Sequence, residues 1–260
     1  MSEVELIQGD CIEEMNKLID KGVKVDMVLT DPPYGTTACK WDSIIPFEEM
    51  WSKLNQLSSS ITTFALFGSE PFSTKLKYSN LEDYKYDLYW IKNRSTGFVH
   101  CKNKPLKNLE LISIFSKGTT VHKNQSNNRM TYNPQGLIKS DKLIKVGESK
   151  FGTMNGKRPS HKREYIQEYT NYPSMTIFFE VVPTNKIIHP TQKPVDLLKY
   201  IVLTYSNKGD TVLDFTMGSG STGVACLQTN RNFIGIELDK KYPEIAEQRI
   251  NEAKAQRRLI

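Results

Sequence analysis

The pattern of apolar and polar positions divides the chain into three stretches. In the first, short apolar runs alternate with amphipathic ones. Val4–Ile7 reads as a strand, and a turn at Gly9-Asp10 leads into a helix near Ile12–Ile19. Val25–Thr30 is an apolar run of strand length, Pro46 to Leu57 has helical spacing behind a proline and acids, and Ile61–Phe67 is another strand. Tyr86–Ile91 and Leu109–Phe115 follow, the second closing at Ser116-Lys117-Gly118. From Thr119 to about Tyr172 the periodicity fades, and Asn, Gln, Ser, Lys and Gly dominate. A loop this long inside a compact protein is either disordered or functional. It still holds Met130, Tyr132, Leu137, Phe151 and Tyr165, too many apolar residues for a linker, and so reads as an inserted module with modest structure of its own.

Met175–Val182 returns as a strand. Pro194 suits the first turn of a helix over Val195–Tyr205, with Gly209 past its end. A β-α-β unit closes the chain: strand Val212–Phe215, a glycine turn, a helix from Val224, strand Phe233–Leu238, and a helix from Tyr242 to about Arg258. The expected class is α/β, a mostly parallel sheet flanked by helices. The expected division is 1–117, 118–186 and 187–260.

Composition narrows this reading. Apolar content of 38% and charged content of 25% are ordinary for a globular protein. No apolar run reaches the roughly 18 residues of a membrane span, and no signal-peptide h-region is visible. The cysteines at 11, 39, 101 and 226 form no Cys-x-x-Cys pair, which argues against a zinc ribbon or a disulfide framework and fits the cytoplasm. The four histidines are scattered, so no metal is expected. The net charge is +6, and Gly118–Ile188 alone holds 11 Lys+Arg against 5 Asp+Glu. A basic, polar stretch beside a neutral α/β body points to a polyanion partner, while the plainer reading is a solvated lysine-rich surface.

Two constellations carry chemistry. Asp31-Pro32-Pro33-Tyr34 ends the strand Val25–Thr30, at the carboxyl edge where open α/β sheets bind ligands. Proline fixes φ and biases its predecessor toward extended backbone. The turn thus aims a carboxylate, carbonyls and an aromatic ring at one small volume, a set suited to a flat group bearing an amine. A proline turn with a capping Asp and a packed Tyr is the simpler alternative. The second constellation, Gly218-Ser219-Gly220-Ser221-Thr222-Gly223, matches GxGxxG between strand and helix, with Glu237 closing the next strand. Such a turn suits a nicotinamide dinucleotide, S-adenosylmethionine, or no ligand at all. Asp214 just before the glycines can meet an ammonium, and His189-Pro190-Thr191-Gln192-Lys193-Pro194 offers groups for a carboxylate. Both favour a cofactor that carries an amino acid.

Taken together, Asp31–Tyr34, His189–Pro194, Asp214–Gly223 and Gly235-Ile236-Glu237 resemble the β class of DNA amino-methyltransferases, in which the catalytic motif precedes the cofactor motif. The resemblance covers 1–117 and 187–260 and is absent from the insert. It implies a Rossmann-like methyltransferase fold, S-adenosylmethionine as methyl donor with S-adenosylhomocysteine as product, double-stranded DNA as substrate, and target recognition by the insert. Asp31 and the Pro32 carbonyl would accept from the target amine, with Pro33 completing the turn and Tyr34 stacking on the flipped base. Asp10, Asp31, Thr191, Lys193, Asp214, Thr216, Gly218, Gly220 and Glu237 would border the cofactor. For Asp10 the alternative is a helix cap. The family usually has Pro-Phe after the motif's first Asp, where this chain has Phe215-Thr216.

The chemistry follows from the target. An exocyclic amine has its lone pair delocalised into the ring, and acceptors for both N–H groups favour a pyramidal nitrogen that attacks the sulfonium methyl in line. No cysteine follows a proline, so the nucleophile of cytosine ring-carbon methylation is missing. The base must leave the stack to be reached. Asp in the first motif position favours adenine N6, with cytosine N4 as the close alternative. A nicotinamide-dependent oxidoreductase and a catalytically silent DNA-binding subunit are the distant ones. Arg129, Gln135, Lys157, Arg158, Lys162 and Arg163 are the expected DNA contacts. A cognate restriction endonuclease and a homodimer are open possibilities.

Overall fold

A computed structural model of the chain describes residues 2–36, 42–121, 128–145 and 164–257. Ten strands and six α-helices follow in the order β1 (Val4–Gln8), α1 (Cys11–Asp20), β2 (Val25–Thr30), α2 (Phe47–Leu57), β3 (Ser58–Gly68), α3 (Phe72–Tyr78), β4 (Tyr84–Thr96), β5 (Lys107–Phe115), β6 (Ile138–Lys145), β7 (Glu164–Thr170), β8 (Thr176–Phe178), α4 (Val195–Tyr205), β9 (Thr211–Asp214), α5 (Ser221–Gln228), β10 (Asn232–Glu237) and α6 (Tyr242–Arg257). Eight strands form one sheet in the order β1-β10-β9-β2-β3-β5-β4-β8. Every ladder is parallel except the two made by β5. The expected α/β class holds.

The order places β9 directly beside β2, with Met27 opposite Val212 and Val28 opposite Leu213. The early, proline-turn half and the late, glycine-turn half therefore share one continuous sheet. Alternation along β2 explains how: Met27 and Leu29 face one apolar cluster, which includes Leu197 and Ile201 of α4 and Ile250 of α6. Val28 faces the other, with Met15 of α1 and Leu54 of α2. Val25 joins Val28 on that second face because the pairing with β3 shifts register between Val25 and Met27. Helices cover both faces, so β2 is buried at five of its six positions.

Three features depart from the sequence reading. Helix α3 was not anticipated, and at seven residues it is too short to show a period. Strand β8 is cut to Thr176–Phe178 at the edge of the sheet: beyond it, Phe179 accepts from the Trp90 indole and Val181 donates to the Asn93 side chain instead of extending the ladder. The chain also separates into two compact units, Met1–Asn133 with Met175–Ile260, and Pro134–Ser174. The second unit is narrower than the 118–186 expected, because Met130 and Ile177 are buried in the main core. By itself it contains an antiparallel pair, β6 and β7.

Candidate active site

Five neighbouring parallel strands end at one cavity of about 290 Å³. β1 delivers Asp10, β2 delivers Asp31 and Pro33, β3 delivers Phe67, β9 delivers Asp214 and Thr216, and β10 delivers Glu237. Thr191 and Lys193 enter from the segment before α4, and Gly218 from the turn before α5. Of the nine expected cofactor residues, only Gly220 lies outside the lining. It is a structural necessity of the turn: its φ is +75°, and a Cβ there would stand 2.7 Å from that of Ala246.

Asp31 sits in a buried ionic cluster. Its Oδ2 pairs with the Lys193 ammonium, and its Oδ1 accepts from the Tyr34 hydroxyl at 2.5 Å. Lys193 also meets Glu110 Oε1 at 3.0 Å, and Glu110 Oε2 meets Lys92 at 2.5 Å. Burial raises the Asp31 carboxyl above the ordinary carboxylate range; Lys193 and Tyr34 offset this in part, and the Glu110 charge adds to it. Burial also works against the charge of Glu110, but Lys193 and Lys92 outweigh it and hold the carboxyl down at about 2. Burial and the two carboxylates keep the Tyr34 phenol protonated, so it serves as a donor. A carboxylate offers about four lone-pair positions. With two taken, Asp31 keeps capacity for an incoming N–H.

Threonines stitch the two halves together. Thr30 donates to Asp214 Oδ1 at 2.8 Å, and its hydroxyl also lies 2.6 Å from that of Thr216. Thr216 in turn donates to the Asp31 carbonyl at 3.1 Å. Thr222 donates to Asp214 Oδ2 at 2.6 Å. Burial pushes Asp214 up to about 6 even with these donors. Glu237 accepts from the Gly218 and Asp239 amides at 2.8 and 2.9 Å, which fixes the glycine turn against the end of β10. Arg249 of α6 grips the same turn, reaching the Ser219 carbonyl at 2.5 Å and the Ser221 hydroxyl at 3.0 Å. Asp10 caps α1, accepting from Ile12 and Glu13, while also lining the cavity. Both readings of Asp10 therefore meet in one side chain.

His189 lies 9% exposed with its ring edge-on to Tyr242 at 4.3 Å. Burial, with Lys193 nearby, lowers it to about 4. The ring is neutral near pH 7, and its Nδ1 accepts from the Thr191 amide at 3.3 Å. The fastened histidine thus sets the loop that carries Thr191 and Lys193.

Some expected residues stand elsewhere. Tyr34 does not line the cavity; its ring stacks on Phe72 at 4.9 Å. Pro32 is buried and is not among the lining residues. Arg129 is exposed, bridges to Thr119 and is not among the residues that line the cavity, and Gln135 belongs to the second unit. Lys157, Arg158, Lys162 and Arg163 lie outside the described residues. Glu110 was missed. Its only signal was a carboxylate inside the apolar run Leu109-Glu110-Leu111-Ile112, a position where a charge survives only when paired.

With this geometry in place, the comparisons decide the family. A family model described as DNA methylase, for N6 and N4 methyltransferases, matches residues 25–248. The chain belongs to this family. The Type II methyltransferase M2.MboI of Moraxella bovis is 45% identical over 95% of this chain and 87% of its own length. The DNA adenine methyltransferase YhdJ of Escherichia coli is 27% identical over 95% and 83%. Among solved structures, a complex of M1.HpyAVI with SAM covers 95% of this chain and 99% of its own at a TM-score of 0.65 and 24% identity. The PvuII cytosine-N4-specific methyltransferase covers 98% and 91% at 0.61 and 12%. These two likenesses carry the fold of the DNA methylase.

Proposed function

We propose that this DNA methylase transfers a methyl group from S-adenosylmethionine to the N6 amine of an adenine flipped out of duplex DNA. The observation that carries the reading is the meeting of Asp31 with Asp214, Gly218 and Glu237 at one cavity, although the halves that supply them lie 186 residues apart at the Thr30–Thr216 contact. Relatives named as DNA adenine or Type II methyltransferases support it.

The cavity fits the cofactor. Glu237 ends β10 opposite Gln8 of β1, where its carboxylate can accept from ribose hydroxyls, and Asp10, just past β1, lines the same cavity on the side given to the adenine. Ile12 and Leu238 supply apolar wall for a flat base. Asp214 suits an ammonium, and Thr191 and Lys193 suit a carboxylate. When bound, S-adenosylmethionine supplies an electrophilic methyl group. Asp31 and the Pro32 carbonyl accept from the two N–H groups of the target amine, which localises its lone pair. Tyr34 orients the Asp31 carboxylate by its hydroxyl; its ring, set on Phe72, forms the floor of the base site. Lys193 and Glu110 hold that carboxylate in place. The segment 118–186, with Arg129, Gln135, Lys157, Arg158, Lys162 and Arg163, supplies DNA contacts and target choice. The setting in this reading is the prokaryotic cytoplasm, beside a cognate restriction endonuclease.

The test is to incubate the protein with duplex DNA and S-adenosylmethionine, digest the DNA to nucleosides and identify the modified base. N6-methyladenine is expected. N4-methylcytosine alone would transfer the activity to the alternative substrate, and tight NAD binding with no methyl transfer would remove the reading altogether.

A further inference from the structure

The basic surplus of the sequence directs attention to 118–188, but the main unit carries a second candidate surface. Residues 93 to 108, the end of β4, the connecting turn and the start of β5, are all exposed. At the tip Phe98 is 77% and Val99 91% exposed, two apolar side chains held up to solvent. Between Lys92 and Asn108 stand Lys92, Arg94, Lys102, Lys104 and Lys107, with no acidic residue among them. Lys92 is taken by Glu110, Arg94 bonds the Thr184 hydroxyl at 3.0 Å and Lys107 bonds Ser69. Lys102 and Lys104 are exposed beside the apolar tip.

The registers locate this hairpin. Gly68, at the carboxyl end of β3, pairs with Leu111, so β5 begins at the edge of the sheet that carries the cavity. Trp90 pairs with Glu110, and Thr96 with Lys107, so β4 runs outward past the same edge. Glu110, part of the Asp31 cluster, therefore sits at the hairpin's root. The register shifts between Ile91 and Thr96, where β4 bulges against β5, and the paired ribbon from Glu110 to Lys107 rises about 10 Å at about 3.3 Å per residue before the exposed turn. A two-stranded ribbon of this kind fits the major groove of DNA, about 12 Å wide.

We infer that the β4–β5 hairpin is a DNA-contacting arm, with Lys102 and Lys104 on phosphates and Phe98 and Val99 against bases next to the flipped one. Charge complementarity selects the partner: a basic arm, acid-free from Lys92 to Asn108 and rooted at Glu110 of the Asp31 cluster, faces whatever polyanion presents the target amine. The inference rests on duplex DNA being the substrate. Apolar side chains against base steps help to open the stack, which lowers the cost of extruding a base.

The experiment compares wild type with Lys102→Ala/Lys104→Ala and with Phe98→Ala/Val99→Ala. Fluorescent duplexes carry 2-aminopurine at the target position, and S-adenosylmethionine affinity serves as the folding control. The lysine pair should weaken binding to every duplex and reduce the slope of log K against log salt by about 2, at about 0.9 per phosphate. The tip pair should keep the slope but lose about tenfold in DNA affinity and most of the 2-aminopurine enhancement. Wild-type affinity, slope and enhancement in both variants would overturn the arm. So would a tip variant that changes only the sedimentation of the free protein from dimer to monomer, since the tip would then belong to a second copy. If wild type methylates no DNA while these binding differences persist, the reaction assigned above fails and the arm stands.

Discussion

The glycine-turn unit from α4 to α6 and the second unit, Pro134–Ser174, are built under opposite constraints. In α5, seven of eight residues are buried; in β6 and β7, none is. Ile201 of α4 has no exposed surface, whereas Ile138, Leu143 and Ile166 of the strand pair are 59%, 52% and 62% exposed. In the first region each side chain answers to its neighbours in the core. In the second, packing decides little, and the choice of side chain is left to whatever the unit meets. The comparison predicts that changes near the cavity damage chemistry, cofactor binding or stability, while changes in the strand pair leave all three alone.

The largest effect is expected at Asp31. Asp31→Ala removes the group proposed to accept from the target amine but none of the groups assigned to the ribose. Methyl transfer should fall by at least about 10²–10³-fold, the scale for losing one preorganised electrostatic partner. S-adenosylmethionine affinity, measured by titration calorimetry, should change far less. Equal losses in both would mean that Asp31 serves the cofactor and not the base.

Next comes packing. Ile201→Ala deletes buried methylenes between α4 and the sheet and should cost about 2–5 kcal/mol of unfolding free energy in a urea titration. A loss below about 1 kcal/mol, the scale of surface substitutions, would erase the contrast between the regions. Glu237→Ala follows, in a different currency. It strips the Gly218 amide of its carboxylate and removes the acceptor proposed for the ribose. Cofactor binding should weaken by about 1.5–3 kcal/mol, the range for charge-assisted hydrogen bonds. Unchanged affinity would remove Glu237 from the site.

The ionic cluster gives a subtler test. Asp31 accepts as a carboxylate, so activity is present above its raised pKa and lost as pH falls through it. The negative charge of Glu110 contributes to that rise. Glu110→Gln removes the repulsion and leaves Lys193 to Asp31 alone, and both changes lower the Asp31 pKa. The acid limb of the kcat profile should move to lower pH. A residue that merely filled space would leave the limb in place, and a shift to higher pH would reverse the assigned sign.

How much was legible follows the same division. Helix α4 could be read at both ends, Val195–Tyr205, because Pro194 and a buried apolar stripe mark it; in the β-α-β unit that follows, both strands were read within one residue, while α5 begins at Ser221, three residues before the expected Val224. The two motifs pointed to one cavity because each ends a parallel strand. Two things escaped. The roles of Thr30 and Glu110 depend on contacts between distant segments, which no local spacing encodes, and that of Thr222 on the turn folding back to Asp214. The β6–β7 pair escaped because its alternation is broken. A register shift between Lys139 and Lys142, with Asp141 at φ +51°, reconciles Ile138 and Leu143, which lie an odd number of residues apart.

The smallest expected effect is the sharpest test of the comparison. Ile166→Ala in β7 removes an apolar side chain that is already 62% exposed, so little area returns to water and no cavity forms. Unfolding free energy should stay within about 0.5 kcal/mol of wild type, as for surface positions. Cofactor affinity should not move, because every residue assigned to that site belongs to the main unit. DNA methylation is where a change should register, as a raised KM for DNA or an altered target sequence in methylome sequencing. A destabilisation comparable to that of Ile201→Ala would mean that the strand pair is packed against something that buries it, and the two regions would no longer differ in kind.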